Sequence, residues 1–342
     1  MRSDVRRRLP QLPSYPKGWY FLARSDELPA GRVLSKPLGE GEVVLFRSSS
    51  GSLGVLNAFC PHLGAHLGMG GEVVGESLRC PMHGFRFDAN GGCVATGYGT
   101  KPPPLAQAQK YPVFEQDGLI FVWLGRKGEQ PSFVIPEVGS EGWSPLKSQS
   151  WTLESHVQET TENSVDIGHL GIVHGYRNVE ATSPLRTQGP YLTASYAFSR
   201  PPVLGRGTDL RVFYTVHVYG LGYSYVAVEV PQFKLRTQQF FLPRPVGPNR
   251  IELTILARTR FNPMTKSESW ESRLPTRAIN KIACSVVFQA FKHDVKQDFV
   301  FWANKRYEES PALAQGDGPI GRYRRWARQF YVESSPPVTM HL

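Results

Sequence analysis

The sequence predicts an α+β protein in two parts, a small all-β domain followed by an antiparallel sheet with helices packed on one face. Between residues 18 and 125, runs such as VVLFR, LGVLNAF and LIFVWLG alternate with Gly-containing turns, the pattern of short paired strands. Strand-like runs return later as LRVFYTVHVY, YSYVAVEV, FKLRTQQFFL and RIELTILARTRF, with turn material such as PRPVGPN between them, which favours an antiparallel sheet. Residues 154–175 and about 268–307 break this pattern. They are poor in Pro and Gly for most of their length, and Ile279, Ala283, Val286 and Ala290 fall at helical spacing. No internal repeat is visible. The expected division is a basic arm at 1–16, an all-β domain at 17–126, a linker at 127–142 and a second domain at 143–342.

A chain of 342 residues is long enough for two cores. Its 40% hydrophobic and 20% charged residues exclude a disordered or low-complexity protein. The start, MRSDVRRRLPQLPSYPKGW, has no apolar run of the secretory kind, and no stretch of about 18 apolar residues occurs anywhere. A cytoplasmic protein with a solvated basic arm is expected, lipid head-group contact by Arg6, Arg7 and Arg8 being the alternative. The formal charge of +10 comes from Lys and Arg spread along the chain without a nucleic-acid motif. Attraction to an acidic partner protein is the better reading, and no nucleic acid is expected. Of the four cysteines, Cys60, Cys80, Cys93 and Cys284, two sit in metal-ligand spacing with histidines. A reducing compartment fits them better than a disulfide framework.

Cys60-Pro-His62 is followed, after 17 intervening residues, by Cys80-Pro-Met-His83. Two thiolates and two imidazoles thus lie on two Gly/Pro-rich loops. A [2Fe–2S] cluster with two cysteines on one iron and two histidines on the other requires this donor set. Tetrahedral zinc also takes Cys₂His₂, but zinc fingers pair Cys with Cys and His with His, whereas here each loop supplies one of each. His66 lies in the first loop outside the spacing and reads as structural. The motifs CPHLGAHLG and CPMHGFRFD resemble the two cluster-binding loops of the Rieske iron–sulfur domain. Respiratory-chain members of that superfamily carry an extra cysteine in each loop and a membrane anchor. Ala65 and Met82 occupy those places here, so the resemblance is to the oxygenase and ferredoxin branch.

Residues 162–174, ENSVDIGHLGIVH, place Asn163, Asp166, His169 and His174 inside one predicted helix. Two histidines and one carboxylate form the facial triad of non-haem Fe(II) oxygenases. Five residues apart, at about 100° each, His169 and His174 point roughly 140° apart on a regular helix. A widened turn or a break near Gly168 or Gly171 is therefore expected. A third ligand must come from far along the chain, and Asp294 and Asp298 share one face of the later helix, so spacing does not choose between them.

The stretch resembles the E-N-x-x-D-x-x-H-x-x-x-x-H signature of Rieske oxygenases. That resemblance implies His169 and His174 as iron ligands, Asn163 beside the iron, and Asp166 as the link to the cluster of a neighbouring subunit in a head-to-tail homotrimer. QDFVFW resembles the run that supplies the carboxylate in the steroid-acting branch, which implies Asp298, with Asp294 solvated or salt-bridged. GWYFLARSDELPAG near the start and RYRRWARQFYVE near the end are similar to the branch containing 3-ketosteroid 9α-hydroxylase and cholesterol 7-desaturase. The resemblance implies a helix-grip catalytic domain, a [2Fe–2S] cluster, a mononuclear Fe(II), O₂, and electrons from NAD(P)H through a separate reductase or ferredoxin. It also implies hydroxylation, desaturation or demethylation of a sterol or steroid, an aromatic or secondary-metabolite substrate being the alternative. Residues 180–265, expected to line the pocket, carry no alignable motif, and Phe213, Tyr225 and Phe240 there read as core. An electron carrier would need only the first constellation, and a lipid-binding helix-grip module neither.

Overall fold

The computed structural model describes residues 12–13, 15–201, 207–261 and 276–331. Most of the basic arm, including Arg6, Arg7 and Arg8, lies outside them. The first ten strands form three small antiparallel sheets. Strand β1 (Gly18–Arg24) pairs with β10 (Leu119–Leu124), which pairs with β9 (Val113–Gln116). Strands β2 (Val33–Leu38), β3 (Gly41–Arg47) and β4 (Leu53–Asn57) form the second sheet. Strands β5 (Glu72–Val74), β6 (Ser77–Arg79), β7 (Arg86–Asp88) and β8 (Cys93–Ala95) form the third. Val44, Phe46, Leu56, Leu78 and Phe87 are buried together between the last two sheets.

The second half is built on a seven-stranded antiparallel sheet. Strands β12 (Arg177–Gln188), β13 (Tyr191–Arg200), β14 (Leu210–Tyr219), β15 (Tyr223–Val230), β16 (Leu235–Gly247) and β17 (Arg250–Phe261) run as a meander, and β11 (Lys147–Leu153) closes the far edge beside β17. Helix α3 (Thr276–Asn304) lies over β17 and β11. Cys284 is buried there with its thiol on the Ala257 carbonyl, and Asn280 caps the end of β17 by accepting from the Phe261 amide at 2.7 Å. The opposite face of β16 and β17, with Phe240, Leu242 and Leu256, packs on Trp19, Phe21 and Phe121 of the first sheet. Helices α1 (Val157–Glu162), α2 (Gly168–Ile172) and α4 (Ile320–Ala327) close one end. No helix among the described residues is long and apolar enough to cross a membrane.

Several local expectations change. Strands β11 and β12 are not anticipated by apolar alternation, because their composition is rich in Ser, Thr, Gln and Arg; β12 is an edge strand with most side chains exposed. Strand β13 is also not anticipated, although its Leu192, Ala194, Tyr196 and Phe198 alternate and are buried. PRPVGPN is not a turn throughout: Pro243 and Pro245 belong to β16, paired with Leu253 and Ile251. They are tolerated because β15 ends opposite Phe241, leaving that side of β16 without a strand that needs proline's missing donor. Phe213, expected in the core, is exposed beside Arg211, whereas Phe240 is buried. The stripe Ile279, Ala283, Val286 and Ala290 faces a cavity rather than the sheet, the sheet-side positions being taken by residues such as Asn280, Cys284 and Phe288.

The two halves are joined through buried ions. The turn residue Asp117, between β9 and β10, faces Arg258 of β17 at 3.3 Å, and both side chains are 3% exposed. Arg258 also donates to the Gly139 carbonyl at 2.6 Å and to Gln238. Removing one partner of a buried pair strands the other charge. Asp117→Ala is expected to cost about 3–5 kcal/mol, read as a fall in the chemical-denaturation midpoint; an unchanged midpoint would show that the pair does not fasten the halves.

Candidate active site and cluster loops

The two N-terminal loops that carry Cys and His repeat one backbone design. The Cys60 amide donates to the Ala65 carbonyl and the Cys80 amide to the Phe85 carbonyl, each at 2.8 Å. The Gly64 and Gly84 amides return to the Cys60 and Cys80 carbonyls at 2.9 and 3.1 Å. Both glycines sit at positive φ, +75° and +70°, where a side chain would be strained. Each loop thereby presents its cysteine inward and its histidine two or three residues later. Cys60 and Cys80 are buried, and burial together with the adjacent Cys80 sulfur pushes the Cys60 thiol up to about 11. All four cysteines are free. His62 and His83 approach with ring centroids 4.8 Å apart, and His62 stacks on Phe85 at 4.4 Å. The His62 Nδ1 is buried with no hydrogen-bond partner. Two facing thiols and two adjacent imidazoles, one with an orphaned nitrogen, fit a [2Fe–2S] group held by two Cys and two His. His66 stands apart, bonded through Nε2 to Glu42 at 2.7 Å and through Nδ1 to the Gly68 amide at 3.1 Å.

The second constellation is assembled by breaking the expected helix. Helix α1 ends at Glu162, residues 163–167 turn out of helical register, and α2 spans only Gly168–Ile172, so His174 lies beyond it. Gly168 and Gly171 keep negative φ, and the reversal after His174 is made at Gly175, φ +69°. The break is therefore where a change of direction was required, although not at the glycines expected to make it. Asp166 starts the new helix by accepting from the His169 amide at 3.2 Å.

This path brings the rings of His169 and His174 to 5.1 Å at 75°. With Asp298 of α3 they offer three ligand atoms within 4.8 Å of one another. The Nδ1 of His174 donates to Gln297 Oε1 at 2.9 Å, which leaves Nε2 as the lone-pair nitrogen, 3.7 Å from Asp298 Oδ2. Burial raises the Asp298 carboxyl above the ordinary range, against the pull of His174, His169 and an Asn163 hydrogen bond. Asn163 also accepts from Trp302 Nε1 at 3.4 Å. Asp166 lies 3.5 Å from His169 Nδ1, short of a formed hydrogen bond. Burial raises the Asp166 carboxyl, but hydrogen bonding and charge from His169 outweigh it and hold the group below its ordinary value. Asp294, on the same helix face as Asp298, is turned away: it accepts from Tyr176 OH at 2.6 Å and pairs with Arg200 at 2.9 Å. Two imidazoles and a buried carboxylate are the donor set of a 2-His-1-carboxylate iron site. Gln297, Tyr176, Arg200 and Trp302 carried no assigned role in the sequence. Gln297 and Trp302, the first and last residues of QDFVFW, lay within a recognised run.

A cavity of about 930 Å³ opens beside these residues between α3 and the sheet. Its wall includes His169, His174 and Asp298, and its lining is mainly aliphatic and aromatic, with Val212, Val226, Val228, Phe241 and Phe291 prominent. Phe213, Tyr225 and Phe240 are not part of it.

Residues 18–112 match the Rieske [2Fe-2S] domain, and residues 122–331 match the 3-ketosteroid 9alpha-hydroxylase C-terminal domain. The chain is 29% identical to cholesterol 7-desaturase nvd 1 of Ciona intestinalis, over 96% of this chain and 71% of that protein. It is 25% identical to the oxygenase component of 3-ketosteroid-9-alpha-monooxygenase of Rhodococcus rhodochrous, over 93% and 81%. In fold it resembles dicamba monooxygenase bound to 3,6 dichlorosalicylic acid, with TM-score 0.65 at 19% identity over 91% of this chain and 96% of that one. Pseudomonas putida CBB5 NdmA with caffeine gives 0.68 at 16% over 91% and 89%. A Rieske domain joined to a large antiparallel-sheet catalytic domain of this kind defines an oxidoreductase, a Rieske-type oxygenase. The chain belongs to the family of the 3-ketosteroid 9alpha-hydroxylase C-terminal domain.

The second cluster loop rests on a glycine. A Cβ on Gly97 would come within 2.2 Å of the His83 carbonyl oxygen, so Gly97→Ala must push the 80–85 loop outward. Visible absorbance and acid-labile sulfide per chain are expected to fall by at least half in this variant, and full retention would show that the loop moves freely.

Proposed function

We propose that this chain is the oxygenase component of a multicomponent system that uses O₂ and externally supplied electrons to hydroxylate, desaturate or demethylate a sterol or steroid. The observation that carries the reading is the apolar 930 Å³ cavity whose wall contains His169, His174 and Asp298. Its volume is in the upper part of the usual ligand-pocket range and suits a bulky polycyclic molecule. The names of the relatives, a cholesterol desaturase and a 3-ketosteroid monooxygenase, support the same substrate class.

In this reading Cys60, His62, Cys80 and His83 hold the [2Fe–2S] cluster in a domain spanning 17–126, and His169, His174 and Asp298 hold Fe(II) in a domain spanning 143–342. When bound, the cluster supplies single electrons and the iron supplies a site for binding and activating O₂ beside the substrate. The remaining tasks fall to the chain's own side chains. Gln297 fixes the tautomer and aim of His174, the kind of outer contact that tunes a metal ligand. Asn163 steadies the Asp298 carboxyl and is itself held by Trp302. The apolar wall excludes water. The Asp166 side chain is 34% exposed, which supports its reaching a neighbouring subunit's cluster histidine in a homotrimer. Electrons come from NAD(P)H through a reductase or ferredoxin, and the charge of +10 favours an acidic donor. Four free cysteines agree with a reducing cytoplasmic location.

Anaerobically purified protein is expected to hold about three irons and about two acid-labile sulfides per chain, with a Rieske-type electron paramagnetic resonance signal on reduction. His169→Ala is expected to lose turnover and the mononuclear iron while keeping that signal; full activity and iron in this variant would remove the second site. Gln297→Leu is expected to weaken Fe(II) binding by about 10–100-fold, measured by titrating iron-stripped protein. Unchanged affinity would mean that His174 needs no orienting partner.

A further inference from the structure

The floor of the cavity is the face of β15 and β16 that carries Ser224, Val226 and Val228 on one strand and Thr237, Gln239 and Phe241 on the next. Register places Gln239 opposite Val226, Thr237 opposite Val228, and Ser224 opposite Phe241. Ser224 and Thr237 are therefore the polar neighbours of Gln239, one diagonal across the strands and one two residues along. The Ser224 hydroxyl is buried with no hydrogen-bond partner, its residue 2% exposed. No hydrogen bond is made by the side chains of Thr237 or Gln239 among the described residues. A buried donor or acceptor left unpaired costs about 1–3 kcal/mol, so the Ser224 hydroxyl is costly unless a ligand completes it, while Thr237 and half-buried Gln239 offer unpaired polar groups to the cavity beside it.

We infer that Gln239, flanked by Ser224 and Thr237, is an orienting subsite that hydrogen-bonds a hydroxyl or keto oxygen of the polycyclic substrate. An amide donates and accepts, as a hydroxyl does, so the patch serves either oxygen type. Its place on β16 is two strands, about 10 Å, from Tyr214 of β14, which sits near the Asp294 and Asp298 carboxylates. The recognised oxygen thus lies at a separate point of the cavity wall from the carbon presented to His169, His174 and Asp298. The patch selects which end of the molecule enters and which carbon is offered. This inference rests on the sterol or steroid reading of the cavity.

The test compares binding of cholesterol and cholest-4-en-3-one with that of cholest-5-ene, the same skeleton without the oxygen, to the intact holoprotein by quenching of tryptophan fluorescence. Unaltered protein is expected to prefer either oxygenated ligand by tenfold or more, since a hydrogen-bonding site rejects an analogue lacking the group. Gln239→Leu, close in volume, is expected to bring that preference to about twofold or less by weakening the oxygenated ligands alone, given that about 1.4 kcal/mol is tenfold. Ser224→Ala, a smaller change on the same patch, is expected to lower the preference severalfold and decides the matter if Gln239→Leu fails to fold. A preference unchanged in both variants, or equal binding of all three ligands by the unaltered protein, overturns the subsite while leaving the sterol reading intact. Binding of none of the three by the unaltered protein overturns the sterol reading and the subsite with it.

Discussion

Helix α1 is buried along its whole length although Gln158, Glu159, Thr160, Thr161 and Glu162 are all polar. Such a helix stays inside only if its charges are paired. Lys305, just past the end of α3, meets Glu159 at 2.7 Å, and Arg324 of α4 meets Glu162 at 2.6 Å. Tyr323 adds a hydrogen bond to the Gln158 carbonyl and Thr161 one to the Leu221 carbonyl. These contacts fix α1 against α3, α4 and the β14–β15 hairpin at once. Asn163, Asp166 and His169 follow directly from α1, and Asp298 lies two turns before Lys305. The distance between the two halves of the candidate iron site is therefore set by ion pairs that touch neither half. Burial raises the Glu159 carboxyl while Lys305 opposes the shift, so the arrangement depends on that ammonium staying in place.

The division into a cluster domain and a sheet domain was legible because strand pairing, turn glycines and ligand spacing are all local signals. The Cys/His loops were the clearest case, since one Cys and one His on each of two short loops leave few alternatives. Asp298 was legible only through a resemblance: helix spacing puts Asp294 and Asp298 on one face, and what separates them is Arg200, at the end of β13, and Tyr176, just before β12, which arrive from far along the chain. The helical reading of 154–175 recognised that His169 and His174 cannot share a regular helix and placed the irregularity near Gly168 or Gly171; the break ends directly before Gly168. The structure uses residues 163–167 and Gly175, with the Asp166 carboxylate starting the second helix, an event that depends on a side-chain contact and leaves no periodicity. Strand β12 was hidden by the polar composition of an exposed edge.

The apolar stripe on α3 was read correctly as helical, yet its destination is empty space rather than core. Periodicity reports that a helix has an apolar face, and nothing in it says whether that face meets side chains or a ligand. The same ambiguity hid the cavity floor, where Ser224, Thr237 and Gln239 sit in runs that otherwise read as ordinary strands.

Helix α3 has 29 residues and so extends about 43 Å as one rod. Its first half roofs the cavity through Ile279, Ala283, Val286 and Ala290, and its second half carries Gln297 and Asp298. Thickening or thinning the roof tilts the rod and displaces the carboxylate several turns away. The floor has no such linkage, because β15 and β16 are held by strands on either side and carry none of the three candidate iron ligands. Changes of substrate in this lineage are thus expected to accumulate on the sheet, where shape can vary without disturbing the chemistry. The roof is bound to the reaction centre by the stiffness of a single helix.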